Sequence, residues 1–468
     1  MDVNIKKIGE HKYGIARADH PGLMADIVLY ATPEILEAIR ADQTFTQIVN
    51  VASMPDIESP VHLMPDAHFG YGFPIGAVAA FDAVTGWVSP GGVGADINCG
   101  VRLMASGISA SDLDAKKKKT LVEEMFRRIP SGLGVGGPLK LSGRPLDDVL
   151  TRGAAAIVEH GYGRPEDLKW IEDGGELEGA DPADVSDAAK KRGRDQCGTM
   201  GSGNHFMEVQ AVDKVFEPEL AQSWGVAEGT LAVMIHSGSR GLGYQVSDEF
   251  WKRSKRALPE FGIRVPDAQL SPLPVRSGLG REYLSAMRAA ANYAFANRQA
   301  LMHLVRKVFQ DFFSGTAESL GLRLVYDVAH NIAKEEVYDR DGGKKRLLVH
   351  RKGATRAFPG QPVIIPGDMG TSSYLLVGTK GAEQSYFTVC HGAGRVMSRT
   401  AARKRVDVGK LVGRLREQGI EVRGGSNAGL AEEAPEAYKD IERVVEAVVV
   451  NGLAVRVARL KPVCVIKG

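Results

Sequence analysis

Two residues able to hold a metal ion stand three positions apart in a glycine-dense stretch running from Gly91 to Arg102, GGVGADINCGVR. Asp96 offers a hard carboxylate oxygen and Cys99 a soft thiolate. The flanking glycines let the backbone turn tightly, so both side chains can point into one small volume. A lone Asp-x-x-Cys also fits a tight turn around a packed thiol, since free Cys behaves as a small hydrophobe. Histidines elsewhere in the chain weigh against that reading. His205 leads into the strand-like FMEVQAV, and His236 ends LAVMIH. His330 ends RLVYDVAH and His391 ends YFTVCH. Each stands where a rigid element meets a loop, a common station for binding groups. Mixed His, Cys and Asp donors suit Zn, Fe, Co or Mn, and thiolate softness favours Zn.

The loops beside these histidines can bind anions. Arg240 and Arg395 present guanidinium forks suited to phosphate oxygens. Gly238, Gly241, Gly243, Gly392 and Gly394 expose backbone N–H groups in nest-like runs. The loops HRKGATR (from His350) and PGDMGTSS (from Pro366) add cations and tight polar turns. Metal donors beside phosphate-binding loops point to metal-assisted phosphoryl transfer. By contrast, the glycine-dense run 132–137 lacks the Lys-Ser/Thr of a P-loop.

The chain has 468 residues, 44% hydrophobic and 25% charged, an ordinary globular profile. A net charge of +2 gives no overall basic field, so any polyanion site must be local. Four cysteines without CxxC spacing predict free thiols in a reducing, cytoplasmic setting. The first residues lack an apolar h-region, and no apolar run approaches membrane-spanning length, so neither secretion nor a membrane is expected.

The elements that must position the site read as mixed α/β. Thr32 and Pro33 open a helix reaching Arg40. The block from His62 to Pro74, HLMPDAHFGYGFP, reads as a loop packed beside the metal donors and orienting them. Leu121, Val122, Met125, Phe126 and Ile129 have helical spacing, with Lys116 to Lys119 as a solvated face. Residues 165–190 read as acidic and loop-like, and 253–280 as a long surface loop or lid. From Arg281 to Phe313 no Gly or Pro interrupts an Ala-rich stretch, which predicts one long helix or two stacked pieces. Length alone would accommodate about three domains, but the motifs predict a single catalytic domain over 1–468.

Taken together, GADINCGVR, GSGNHFMEVQ, HSGSRGLG, DVAHN, HRKGATRAF, PGDMGTSSY, CHGAGRVMSR, EAPEAYKD and LKPVCVIKG resemble the RtcB-type tRNA-splicing ligases. The matching blocks run in the family's order from Met64 to Gly468. The resemblance implies central mixed β-sheets wrapped by helices, with the active site at strand ends. It implies an enzyme that uses GTP and Mn²⁺ to join RNA 3′-phosphate or 2′,3′-cyclic phosphate ends to 5′-hydroxyl ends, through a histidine–GMP and an RNA-(3′)pp(5′)G intermediate. By motif, Asp96, Cys99, His205, His236 and His330 would hold two Mn²⁺ ions. Cys99 would bridge them, with His205 and His236 on one ion and Asp96 and His330 on the other. His391 would be the guanylylated nucleophile. Asn204, His205, Phe206, Met207, Glu208, His330, Asn331, Pro366, Gly367, Asp368, Met369, Ser373, His391, Gly392, Ala393 and Gly394 would contact GTP. Tyr438 and Lys467 would hold the guanine, and Arg240 and Arg395 phosphates of RNA or nucleotide. RNA is the implied partner of a monomer, with an archease-type activator as a candidate second partner. Asp368 departs from the Ser or Thr frequent in that loop. Two other readings stay open: a metallophosphoesterase that opens cyclic phosphates, and an RNA-end-binding protein without catalysis.

Overall fold

The computed structural model describes residues 4–132, 134–340 and 342–468. The glycine run 132–137 therefore includes Leu133, which lies outside the described residues, as do the first three residues of the N-terminal stretch. Two large mixed sheets carry the architecture. The first is ordered Lys6–Gly9, Lys12–Ile15, Ile27–Tyr30, Val61–Tyr71, Phe73–Asp82, Gly343–Lys352, Asn331–Arg340. The second is ordered Arg323–Ala329, Gly100–Ser109, Thr230–Ser237, Phe206–Val215, Ala454–Lys467, Ser373–Gly378, Pro362–Ile365, with Glu421–Gly424 paired beside Ala454–Lys467. Most pairings are antiparallel; Ile27–Tyr30 with Val61–Tyr71 and Glu421–Gly424 with Ala454–Lys467 are parallel. The mixed-sheet, helix-wrapped α/β expectation thus holds.

Local sequence explains the elements. Thr32 caps the helix Pro33–Ala41 by accepting a hydrogen bond from the Ile35 N–H. Asp114 does the same for Ala115–Arg128, whose Leu121, Val122 and Met125 are buried while Lys116, Lys117 and Lys119 are exposed. The Ala-rich stretch forms one helix, Gly278–Phe312. It is buried nearly all round, as expected where both flanks face core. Tyr283, Met287 and Tyr293 pack on one side, and Phe295, Leu301 and Phe309 on the other. All four cysteines are free and buried. Among the described residues no helix is long and apolar enough to cross a membrane.

Three expectations need correction. The block from His62 is mainly strand, Val61–Tyr71, and not a loop. Its Pro and Gly residues masked a β pattern that the sheet enforces through Phe73–Asp82. Residues 253–280 form no free surface loop or lid. They begin inside the helix Arg240–Ala257 and end inside Gly278–Phe312. Between these, Leu270, Ser271 and Leu273 are buried, and Leu273–Pro274 pairs with Trp87–Val88. The Ser89 hydroxyl ties to the Leu270 carbonyl, and the Gly72 N–H donates to Gln269. Nor is the acidic stretch 165–190 plain loop: it holds the short turns Pro165–Trp170 and Glu172–Gly175 and enters the helix Asp187–Gly193, and its Asp167 and Glu172 are buried, paired with Arg306 at 2.6 Å and Lys334 at 2.7 Å. Buried carboxylates persist only when so paired.

The long helix also buttresses one end of the second sheet. The Asn297 amide donates to the carbonyls of Thr199 and Gly238 at 3.2 and 3.0 Å. The Arg298 guanidinium donates to the carbonyls of Asn98 and Ser237 at 2.7 and 3.0 Å. Asp327, shared with Arg102, anchors that guanidinium at 2.8 Å. These three charges lie fully inside the protein. Removing one partner of such a buried group typically costs about 3–5 kcal/mol.

Candidate metal and nucleotide site

Four adjacent strands of the second sheet deliver the donors to a single end. Gly100 pairs with both Ala329 and Ser237, and His236 pairs with both Val101 and Phe206. Cys99, His205, His236 and His330 therefore sit level with one another. Backbone bonds lock the level: His330 N–H donates to the Cys99 carbonyl at 2.9 Å, and Asn98 N–H to the Asn331 carbonyl at 2.7 Å. Asn98 adopts φ 54°, a left-handed turn that Asn tolerates, and this aims Asp96 and Cys99 into the same space.

Among the described residues, two sets of three donors have ligand atoms within 4.8 Å of one another: Asp96, Cys99 and His205; and Cys99, His236 and His330. Cys99 belongs to both. Its Sγ lies 3.4 Å from His205 Nε2 and 3.2 Å from His236 Nε2. His205 Nε2 lies 2.7 Å from Asp96, and the Nε2 atoms of His236 and His330 are 3.2 Å apart. This grouping differs from the one implied by resemblance. His236 and His330 stand together beyond Cys99, whereas the Asp96 turn lies on the His205 side.

The electrostatics favour ligating forms. Burial holds His205, His236 and His330 below the usual imidazole range, which favours the neutral rings that ligate cations. Burial works against ionising Asp96, yet the neighbouring His205 brings its carboxyl down to about 2. Burial, then Asp96, push the Cys99 thiol well up. A cation must reverse that last shift by displacing the proton. One triad with oxygen, sulfur and nitrogen donors and one with a sulfur and two nitrogens, sharing the Cys99 sulfur, fit a pair of divalent cations.

His391 enters from another quarter. The strand Thr388–Cys390 pairs with Ala354–Arg356, and the Ala354 N–H donates to the His330 carbonyl at 3.1 Å. The His391 ring thereby comes within 4.8 Å of the His330 ring, centroid to centroid. Its Nδ1 is hydrogen-bonded to Asp66 Oδ2, which also accepts the His391 backbone N–H at 3.0 Å. Asp66 is wholly buried in the strand Val61–Tyr71. Lys439 brackets it by donating to the Pro65 and Ala67 carbonyls. Gly394 passes so close that an added Cβ would lie 2.0 Å from the Asp66 carbonyl oxygen. Sequence reading placed the Asp66 block beside the metals, whereas it serves His391.

A cavity of about 870 Å³ opens beside these groups. Asp96, His236, Asn331 and the run His391 to Arg395 line one part of it. Phe206, Glu208, Asp368, Met369, Tyr438 and Lys467 line another. Asn204, Pro366 and Gly367 also reach the wall. Of the residues expected to touch nucleotide, His205 and His330 face the donor cluster instead. Met207 points from its strand into the core beside Met104 and Ile235. Ser373 supports the wall by accepting from Gln210 at 3.0 Å and from the Gly367 N–H at 3.1 Å. Asp368 is engaged by its own loop, accepting from Gly370 N–H at 2.9 Å and from the Thr371 hydroxyl at 2.8 Å. That explains how a carboxylate replaces Ser or Thr there.

The two arginines are placed differently. Arg240 stands behind His205, with Nη1 3.3 Å from His205 Nδ1 and Nε donating to Thr199. Arg395 lines the cavity, where Glu433 and the Tyr438 hydroxyl each lie 3.1 Å from its Nη1. Glu433 also receives Lys467 at 3.5 Å, so it joins Arg395, Tyr438 and Lys467 into one cluster. Nothing in the sequence set Glu433 apart, although it is the first residue of the motif EAPEAYKD, Glu433 to Asp440.

Glu208 is buried at the cavity floor, and burial pushes its carboxyl up to about 8. In the unfolded chain it would titrate near 4.5. The native state thus favours the protonated form, and stability falls as pH rises from about 4.5 through 8. Glu208→Gln should remove this penalty. Without ligands, the variant is expected to unfold several degrees above the parent at pH 8.5, with the gap closing by pH 5. Parallel melting curves at the two pH values check this, and a gap independent of pH contradicts it.

Comparison with known proteins decides the family. The tRNA-splicing ligase RtcB family matches residues 47–468. The chain belongs to the RtcB family. It is 48% identical to the tRNA-splicing ligase RtcB of Archaeoglobus fulgidus, over the whole of both chains. It is 47% identical to that of Thermococcus kodakarensis, over 100% of this chain and 99% of the relative. The RNA-splicing ligase RtcB of Mycobacterium tuberculosis is 48% identical over 90% of this chain and all of its own length. The cluster around Cys99 and His391 lies within the residues matched by the RtcB family.

Proposed function

We propose that this chain is a GTP-dependent RNA ligase that joins 3′-phosphate or 2′,3′-cyclic phosphate ends to 5′-hydroxyl ends, working as one catalytic unit. Asp96, Cys99 and His205 would hold one divalent cation and Cys99, His236 and His330 a second, with Mn²⁺ the ion proposed for both. The observation that carries the reading is the setting of His391: oriented by Asp66, packed on His330, and opening on the cavity that ends at Lys467. RNA ends are the substrates, and an archease-type activator is a candidate partner. A cytoplasmic setting accords with four free thiols, and the chain is proposed to act as a monomer.

An RNA 3′-phosphate is a poor electrophile, and a nucleotidyl group attached to it makes it a good one. His391 supplies that group. With its Nδ1 proton held by Asp66, its Nε2 lone pair is free to attack the α-phosphorus of GTP, and pyrophosphate leaves. Asp66 then stabilises the positive charge on the ring. Bound divalent ions would neutralise phosphate oxygens as charge builds. Phe206, Glu208, Tyr438 and Lys467 present an apolar ring, carboxyl, hydroxyl and ammonium groups suited to a guanine.

The test is covalent labelling. Incubation with GTP labelled in its α-phosphate and Mn²⁺ should leave GMP on the protein through an acid-labile, alkali-stable P–N bond. His391→Ala should abolish the label while bound metal stays unchanged. Label persisting on the variant, or mapping to a lysine, refutes the mechanism.

A further inference from the structure

The rim of the cavity holds features that neither metal nor nucleotide chemistry requires. Phe69 lines the opening yet is 52% exposed, and Val396 on the same rim is 55% exposed. Exposed apolar groups gathered at the mouth of a cavity are a mark of a binding groove. The ring also stands on a fixed base. Gln47 holds the adjoining Gly70 through two hydrogen bonds, 2.9 Å to its carbonyl and 3.0 Å from its N–H. Lys439 holds the Ala67 carbonyl on the other side. Tyr71, two residues on and 48% exposed, continues the aromatic edge away from the cavity. Alternate residues of a strand share a face.

A second feature begins on the same rim. Ser398 and Arg399 line the cavity, and Ser398 caps the helix Arg399–Arg405, sequence RTAARKR. This helix carries no acidic residue, and Arg399, Arg403, Lys404 and Arg405 are all exposed. Arg399 and Arg403 lean on Glu432. Among the described residues no carboxylate pairs with Lys404 or Arg405. A net charge of only +2 makes such a local concentration notable.

We infer that the rim is a docking surface for single-stranded RNA, with Phe69 as a stacking platform for a base near the joined end and the helix Arg399–Arg405 drawing in the backbone phosphates. The inference rests on the RNA-ligase reading and adds where the strand lies outside the cavity. Aromatic rings beside a basic track are how single strands are held without sequence preference. An acidic protein would use the cations but would have no use for a ring at the mouth of a nucleotide cavity.

The test uses the full chain with Mn²⁺ and a short single-stranded RNA bearing a 3′-phosphate and 2-aminopurine near that end. The base should be quenched on binding to the parent protein. Phe69→Ala should weaken binding about tenfold and lose most of the quench, while Phe69→Trp restores both. Lys404→Ala with Arg405→Ala should weaken binding and lower the slope of log affinity against log salt by about 1.4, near 0.7 for each lost contact. Melting curves of each variant confirm folding. Unchanged affinity and quench in folded Phe69→Ala would overturn the platform, and an unchanged salt slope would overturn the helix contact. If the parent fails to bind this RNA or to ligate it, the RNA-ligase reading falls and the platform with it.

Discussion

Cys99→Ala should lose most of its bound Mn²⁺, because a single substitution removes a donor from both triads. The affinity loss is expected to be about a hundredfold or more, since altering even the partners of metal ligands costs 10–100-fold. Cys197 and Cys464 are equally buried but stand outside both triads. Their alanine variants should keep the parent's metal content despite some loss of packing. Elemental analysis of the three proteins, purified alike, gives the answer. Equal metal in all three would dismantle the shared-sulfur arrangement. The surrounding protein keeps this thiol protonated through burial and through Asp96. Only a cation makes the thiolate favourable, so the alanine protein should fold without metal yet have no strong site to refill.

Asp66→Asn should cut the rate of GMP transfer to His391 by about 10²–10⁴-fold while leaving metal content intact. Asp66 accepts from both the backbone N–H and the Nδ1 of His391. Both bonds go to the one oxygen, Oδ2, so asparagine can set its single oxygen there and keep the ring oriented. It cannot supply the negative charge that stabilises the ring as the P–N bond forms. Loss of the carboxylate charge beside a catalytic His costs up to about 10⁴-fold. Single-turnover labelling with GTP measures the effect. A rate within a few-fold of the parent would show that Asp66 is a packing residue only.

Sequence made the donors legible because each sits at a strand end, where a β-rich run stops against glycine or a polar loop. It also showed the helix Gly278–Phe312, since thirty-odd residues without Gly or Pro leave few alternatives. The grouping of the donors into these two triads was not legible. That depends on strand order in the second sheet, which pairs Thr230–Ser237 with both Gly100–Ser109 and Phe206–Val215. Asp66 was visible as a carboxylate beside two histidines, yet nothing local tied it to His391. Asn297 and Arg298 were hidden inside an apparently apolar helix, although they hold the backbone on which Cys99 and His236 stand. The stretch 253–280 misled because irregular sequence was equated with exposure. Its hydrogen-bond partners lie far away in sequence, the Gly72 N–H on the Gln269 side chain and the Ser89 hydroxyl on the Leu270 carbonyl.

Asp66 and His391 touch although 325 residues separate them along the chain. The candidate metal donors fall between, from Asp96 to His330. Any crossover between two related genes within that interval would take the orienting carboxylate from one parent and the nucleophile from the other. At 44–48% identity the two halves bring different packing around the pair. Hybrids cut near the middle should therefore fail more often than those exchanged outside residues 66–391, and recombination should pass this interval on as one heritable block.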